Sequence, residues 1–318
     1  MSASAAQLPV IAVMGCTASG KSALADALAL RLGGEVVSAD SMQVYRGMDI
    51  GTAKTPAAQR PVPYHCIDLV DPGQPYSAAL FQRDSRAAIA DIRSRGRVPV
   101  LCGGTFFYVR ACLNSMDFAP GDQEGNPVRE RYNALAQELG AQGIWELLRQ
   151  LDPESAAVVH PNNTVRVVRA LEMHEAGESY AARKEAFKGI GEAIPSIKIG
   201  LEWDTPRLYE RINRRVDLMM EQGLVAEVED LLEQGFREGL TAPAAIGYKE
   251  VVAALDGECS TDEAAEQIKM ATRRYSKRQR SWLRGEAGLV GLRAQDKPLE
   301  QLLEESLQLI AAAQQAVK

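Results

Sequence analysis

The chain has no apolar run long enough to span a bilayer, which excludes an enzyme embedded through apolar helices. Its first residues, Met1-Ser2-Ala3-Ser4-Ala5-Ala6, have neither the basic start nor the apolar core of a signal peptide, so no secretory leader is expected. Cysteine is scarce. The five thiols (Cys16, Cys66, Cys102, Cys112 and Cys259) show no C-x-x-C spacing, which excludes a zinc ribbon and a disulfide framework. His65, His160 and His174 are scattered, which excludes a histidine-based metal cluster. Positive charge is also short: Asp and Glu outnumber Lys and Arg, 42 to 36. The net charge of −6 excludes a protein that coats nucleic acid through its overall charge. No internal repeat or low-complexity tract is evident. These absences point to a reducing cytoplasm, away from the membrane, and 318 residues suggest roughly two domains.

What is there begins with a glycine-rich loop, Gly15-Cys16-Thr17-Ala18-Ser19-Gly20-Lys21-Ser22. It lies between an apolar strand over residues 10–14 and an amphipathic helix over 23–32 that stops at Gly33-Gly34. The spacing G-x-x-x-x-G-K-S lets backbone N–H groups wrap a chain of phosphates. Lys21 would neutralise the outer phosphate charge and the Ser22 hydroxyl would ligate Mg²⁺. Such a spacing also arises as a chance turn, but strand, loop and helix in this order argue for a di- or triphosphate site.

The first 115 residues alternate strand and helix, which predicts a parallel sheet with helices on both faces. Expected elements are a strand over 35–39 ending at Asp40, a third strand over 66–70 and a helix over 77–95 stopped by Gly96. A strand over 97–102 follows, an assignment that Pro99 weakens, since proline donates no ladder hydrogen bond and prefers edge positions. Gly103-Gly104-Thr105 then turns the chain into another helix. Loop signals and stretches rich in Arg, Glu, Leu and Ala predict a helical insertion over 116–195. A strand over 197–201 returns to the sheet. Thr205-Pro206 supplies an N-cap and a first-turn proline for a helix beginning at Arg207. The predicted architecture is α/β: a P-loop NTPase-like parallel sheet flanked by helices, with a core of residues 1–115 and 196–318.

Three features could carry chemistry. Asp40 follows a strand at the sheet edge where ligands of parallel sheets bind, so it could accept a proton or hold a magnesium water, or it could cap a turn. Arg207, Arg211 and Arg215 repeat every fourth residue beside an apolar stripe of Leu208, Ile212, Val216 and Met219. That row is either a solvated face paired with Glu210 or a grip on a diphosphate. Between 273 and 284 stand Arg273, Arg274, Lys277, Arg278, Arg280 and Arg284 with no acidic residue among them. Arg273, Lys277, Arg280 and Arg284 form a cationic stripe suited to phosphate-backbone contacts, opposite an apolar face of Ile268, Ala271, Tyr275 and Trp282 expected in the core.

These pieces together resemble one family, the tRNA dimethylallyltransferases, also called tRNA isopentenyltransferases (IPP transferase family). Beyond the phosphate loop, the likeness rests on Ala39-Asp40-Ser41-Met42-Gln43-Val44-Tyr45-Arg46, Met48-Asp49-Ile50-Gly51-Thr52-Ala53-Lys54 and Ile67-Asp68-Leu69-Val70-Asp71-Pro72. It continues in Gly103-Gly104-Thr105, Arg166-Val167-Val168-Arg169-Ala170-Leu171-Glu172, Ala245-Ile246-Gly247-Tyr248-Lys249-Glu250 and Lys277-Arg278-Gln279-Arg280-Ser281-Trp282-Leu283-Arg284. The insertion matches thinly. Cys16 stands where the family usually has proline, Phe106 where glycine is common, and Thr164-Val165 in place of Pro-Gln.

The resemblance implies transfer of a dimethylallyl group from dimethylallyl diphosphate to the N6 amine of the adenine just 3′ of the anticodon, in tRNAs reading codons that begin with U. The loop 15–22 would hold the isoprenoid diphosphate, with Mg²⁺ at Ser22. Asp40 would be the general base, Arg215 would bind the diphosphate, and Thr105 would lie close to it. Asp40, Ser41, Met42, Gln43 and Thr105 would meet the target base of the anticodon stem-loop. Val165, Arg166, Val167, Val168 and Arg169, then Gly247, Tyr248 and Lys249, would touch tRNA. So would Arg273, Arg274, Lys277, Arg278, Arg280 and Arg284. A monomer is the expected state. The competing reading of the phosphate loop alone is a small-molecule kinase, which would need ATP and would leave the basic helix without a purpose.

Overall fold

The computed structural model describes residues 9–118, 126–187 and 189–316. The chain divides into two compact units, one of residues 1–114 and 192–318, the other Ser115–Gly191.

The first unit is built on a parallel six-stranded sheet in the order β3-β2-β4-β1-β5-β6. Its strands are β1 (Val10–Gly15), β2 (Glu35–Ser38), β3 (Tyr64–His65), β4 (Pro99–Gly103), β5 (Ser196–Glu202) and β6 (Leu289–Arg293). Every residue of β1, β2 and β4 is buried, as strands covered on both faces must be. β1 shows the period of two that divides the core: Val10, Ala12 and Met14 face one cluster, Ile11 and Val13 the other.

On the second of these faces pack α1 (Lys21–Leu32) and α12 (Leu299–Ala316), through Leu24, Leu28, Leu302 and Ile310. The first face is covered by α2 (Ala78–Ser94), α3 (Phe106–Leu113), α8 (Thr205–Glu221), α9 (Leu224–Glu233), α10 (Tyr248–Leu255) and α11 (Thr261–Arg284). Leu208, Ile212, Val216 and Met219 are the buried stripe of α8, as their spacing predicts. Ser260 and Glu263 close a reciprocal capping box at the start of α11.

The second unit carries α4 (Pro127–Leu151), α5 (Pro153–Val158), α6 (Thr164–Glu175) and α7 (Tyr180–Ala186). Asn126, Asp152, Asn163 and Ser179 cap these helices with side-chain acceptors. Their apolar faces meet in a core of Tyr132, Ile144, Leu148, Val167, Val168 and Leu171.

Four local expectations change. The third strand lies at Tyr64–His65 rather than 66–70, because Cys66 (φ 58°) and Asp68 (φ 55°) adopt left-handed backbone that cannot continue a ladder. Pro99 sits in a central strand, not at an edge. It is the first residue of β4, and the neighbouring Glu35 N–H donates to the Val98 carbonyl instead. α8 begins at Thr205 with Asp204 as its N-cap, and Pro206 lies inside its first turn. Trp282 is not core: it is 39% exposed, with the Arg110 guanidinium 4.7 Å from its ring centroid.

One close approach positions the site. A Cβ on Gly103 would sit 2.1 Å from the Ala39 carbonyl, so only glycine lets the end of β4 press against the end of β2. The Thr105 N–H then donates to that carbonyl at 3.3 Å. Gly103-Gly104-Thr105 is thereby laid alongside Ala39-Asp40-Ser41.

Candidate functional site

A cavity of about 330 Å³ opens at the carboxyl ends of β1, β2 and β4, within the sheet-bearing unit. Ligands of open parallel sheets bind at this edge. Its lining includes Thr17, Lys21 and Ser22 of the phosphate loop, Asp40 to Gln43, Gly103, Arg215, Gly247 and Tyr248, with Tyr275, Arg278 and Gln279 of α11. It therefore brings together the loop, the acidic residue after β2, one arginine of the α8 row and one end of the basic helix.

The loop has the backbone an anion seat needs. Ala18 (φ 61°) and Gly20 (φ 90°) are left-handed, and Gly20 leads directly into α1, whose first N–H groups lack intrahelical acceptors. Lys21 Nζ donates to the Cys16 carbonyl at 3.3 Å. Desolvation lowers the Lys21 pKa from the ordinary lysine value; Arg215 presses the same way, while Asp40 favours the charged form. Burial likewise lowers the Arg215 pKa against the pull of Asp40, although a guanidinium stays cationic at neutral pH. Two cations held close with one carboxylate between their fields leave a surplus of positive charge for an anion. Burial pushes the Cys16 thiol up to about 11, so it is neutral and brings no charge to the loop.

Asp40 Oδ1 accepts from the Met42 N–H at 3.0 Å, the turn-capping bond expected of an Asp in this position. Oδ2 has no hydrogen-bond partner among the described residues, and Asp40 is the one carboxylate lining the cavity. Turn cap and open carboxylate are the same side chain. Thr105 does not line the cavity. Its Oγ1 accepts from the Ser41 N–H at 3.1 Å and so steadies the segment that carries Asp40.

The three α8 arginines do different things. Arg207 is exposed and paired with Glu210 at 3.2 Å. Arg211 donates to the Ala18 carbonyl at 2.7 Å, and its guanidinium lies 4.4 Å from the Trp203 ring centroid. Only Arg215 faces the cavity, with Nη2 donating to the Thr52 carbonyl at 3.4 Å. Gln43 Nε2 reaches the same carbonyl at 3.2 Å.

The basic stripe is divided too. Arg273 donates to Asn213 Oδ1 at 2.6 Å, and Arg280 donates to the Thr205 hydroxyl. Lys277 and Arg284 are exposed without a side-chain partner among the described residues. In the helical unit, Val167 and Val168 are buried in its core, so their side chains are closed to any contact; Val165 is 81% exposed, and Arg166 is exposed as well. Tyr248 is fully buried, its hydroxyl donating to Glu227 Oε1 at 2.6 Å, whereas Lys249 is exposed.

Two further residues, assigned no role from the sequence, shape this site. The Glu227 carboxylate accepts from the N–H groups of Asp49 (3.0 Å), Ile50 (2.6 Å) and Gly51 (3.2 Å), fixing the loop that presents Thr52 to Arg215. Gln279 is 3% exposed and bonds to both the phosphate loop and Gly104. Its available signal was position: it follows Ile268, Thr272 and Tyr275 at i, i+4, i+7, i+11, a polar residue on the inward stripe of its helix.

Among the described residues no group of three or more His, Cys, Asp or Glu is placed to hold a metal. The Ser22 hydroxyl and the Asp40 carboxylate do line one cavity. The Cys102 thiol lines the cavity as well, but burial pushes it up to about 12, so it is neutral and no competing ligand. Two hard oxygens suit Mg²⁺, which binds few protein ligands and completes its shell with phosphate and water. No described helix is long and apolar enough to cross a membrane.

Comparison with known proteins follows the same lines. A family model described as IPP transferase matches residues 43–286. A tRNA dimethylallyltransferase of a Nocardioides species is 45% identical over 307 residues, covering 96% of each chain. The tRNA dimethylallyltransferase 2 of Geotalea uraniireducens is 44% identical over 278 residues, 87% of this chain and 89% of that one. Among solved structures, the full-length tRNA isopentenylpyrophosphate transferase of Bacillus halodurans is 39% identical with a TM-score of 0.70, covering 96% of each chain. A eukaryotic dimethylallyltransferase captured acting on tRNA is 29% identical with a TM-score of 0.73, over 91% of this chain and 75% of that one.

Proposed function

The chain belongs to the IPP transferase family, and from that premise we propose that it transfers a dimethylallyl group from dimethylallyl diphosphate to the N6 amine of the adenine 3′ to the anticodon, in tRNAs reading codons that begin with U. It is a transferase, and tRNA is the acceptor. The observation that carries the reading is the open Asp40 carboxylate in one cavity with Lys21 and Arg215.

In the proposed step the adenine nitrogen forms a bond to the allylic carbon as the carbon–oxygen bond breaks, and that electron pair leaves on diphosphate. Lys21, Arg215 and the N–H groups that begin α1 would stabilise the charge as it develops. Mg²⁺ held by Ser22 would supply further neutralisation of the diphosphate oxygens. The amine is a weak nucleophile because its lone pair is shared with the ring. Its proton becomes acidic as the new bond forms, so a carboxylate can take it; Asp40 Oδ2 is placed for that task. The base must leave its stack to reach so enclosed a site. Walls formed by Met42, Ile212, Val216, Met219 and Ile268 would keep water from the allylic carbon.

The direct test is incubation with unmodified tRNA, Mg²⁺ and labelled dimethylallyl diphosphate without ATP. Label in the tRNA is the expected result; ATP consumed with a small acceptor, and no label, would overturn it. Two further outcomes are expected. Arg215→Ala should weaken use of the diphosphate by about 1.5–3 kcal/mol, the worth of a charge-assisted contact, with little change in tRNA affinity. Steady-state kinetics in dimethylallyl diphosphate reads this, and unchanged constants would return Arg215 to a structural role. Replacing both Lys277 and Arg284 with alanine should make the slope of log affinity for tRNA against log salt shallower by up to about 1.4–1.8, for two lost phosphate contacts. An unaltered slope would mark these two cations as a solvated face.

A further inference from the structure

α11 turns one carboxamide inward, between two loops that the reaction needs at a set separation. Gln279 Oε1 accepts from the Thr17 N–H at 2.9 Å, and Nε2 donates to the Gly104 carbonyl at 2.9 Å. The fit at Gly104 is tight: a Cβ there would meet Nε2 at 2.5 Å and the Gly15 carbonyl at 3.2 Å. One residue beyond Gly104, Thr105 holds the Ser41 N–H beside Asp40. On the other side Thr17 belongs to the loop whose end is Lys21. Among the described residues no other side chain hydrogen-bonds to both loops. The helix is seated on the same spot by two weaker contacts, Cys16 Sγ to the Ser276 carbonyl at 3.6 Å and the Tyr275 hydroxyl to the Gly104 carbonyl at 3.4 Å.

We infer that Gln279 is a positioning residue that sets the span between the diphosphate seat and the Asp40 base. The inference rests on the prenyl-transfer reading. With the span set, the allylic carbon meets the adenine amine at bonding distance, with no room for water between them. With Gln279 removed, only the strands β1 and β4 and the two weaker α11 contacts still join the loops, and the donor carbon and acceptor lose registration. A misplacement of 1 Å can cost about 10²-fold in rate. The activated donor then has a second fate. Water attacks the allylic carbon, the carbon–oxygen bond breaks with its electrons leaving on diphosphate, and dimethylallyl alcohol and a proton are released. A lost registration therefore appears as leakage as well as slowness.

The experiment uses the full chain and its Gln279→Ala and Gln279→Glu variants with unmodified tRNA, Mg²⁺ and labelled dimethylallyl diphosphate. Prenylated tRNA and dimethylallyl alcohol are counted in the same reaction, beside tRNA affinity and thermal unfolding. Gln279→Glu fills the same volume and can still accept from Thr17, but its carboxylate cannot donate to the Gly104 carbonyl. It separates loss of the bond from loss of packing. Transfer by both variants is expected to fall about 10–10²-fold at saturating substrates, with tRNA affinity held within twofold and the alcohol fraction clearly raised. Transfer within threefold of the parent chain in both variants overturns the inference. So does a loss of rate with no change in product ratio, the pattern of a merely structural residue. A parent chain that labels no tRNA overturns the functional reading and this inference together, whereas a fully active parent beside unaltered variants overturns this inference alone.

Discussion

Asp40→Asn is expected to lower single-turnover prenyl transfer by about 10²–10⁴-fold, the usual worth of a general base, while tRNA affinity stays near that of the parent chain. Asparagine keeps the shape and an acceptor for the Met42 N–H, which Oδ1 now holds at 3.0 Å, so the turn after β2 should survive. What disappears is the capacity to take a proton and the negative charge that favours the cationic forms of Lys21 and Arg215. Both losses act on the chemical step. Single-turnover transfer with saturating labelled dimethylallyl diphosphate measures the first, and a filter or fluorescence assay of tRNA binding serves as the control. Transfer within a few-fold of the parent chain would remove Asp40 from the role of base.

Lys21→Ala should reduce kcat/KM for dimethylallyl diphosphate by about 10²–10³-fold, as loss of one group that meets developing charge typically does. Lys21 lies at the junction of loop and α1, where surroundings that desolvate its ammonium also strengthen its interaction with a bound anion. Arg215 remains in the variant and keeps the site cationic, which is why some activity should persist. Arg211 cannot substitute, since it is committed to the Ala18 carbonyl. The loop backbone holds its own geometry through the Ser19 N–H to the Cys16 carbonyl, at 3.2 Å, so the fold should be unaffected. Kinetics in the diphosphate at fixed tRNA, with thermal unfolding alongside, provides the check. A loss smaller than about tenfold would place the outer charge elsewhere than on Lys21.

Local patterns were legible in the sequence, and tertiary ones were not. β1, the phosphate loop and α1 could be read directly, because burial on both faces, a fixed glycine spacing and a terminal Gly33 (φ 63°) are properties of neighbouring residues. The α8 stripe was readable for the same reason. The third strand was misplaced because Cys66 and Asp68 look like strand residues. Both adopt left-handed backbone, and the Asp68 side chain makes a contact no short window contains: the buried Lys54 ammonium binds Asp68 at 2.6 Å and Asp49 at 2.8 Å. The arginine row and the cationic stripe were each read as one face, yet each splits according to what lies opposite. Asn213 and Thr205 of α8 take Arg273 and Arg280, and leave Lys277 and Arg284 in water. The partners of Glu227 and Gln279 are not legible, because they are backbone groups 178 and 262 residues away; for Gln279 the helical pattern shows only that it faces inward.

The Glu227 carboxylate, with its three N–H partners at 49–51, has a consequence for the order in which the molecule can be made. On a ribosome the first strand, loop and helix are complete within 32 residues. The cavity wall opposite them waits for Glu227, then for Tyr248, whose ring leaves no space for a side chain at Gly51. It waits last for Gln279. The intervening residues 115–191 close into a unit of their own with a separate core, and that unit can settle while the wall is still unmade. A nascent chain thus carries the glycine-rich loop long before it carries an enclosed site. Donor bound that early would stand open to solvent; the enclosure that would protect it comes only with α9, α10 and α11.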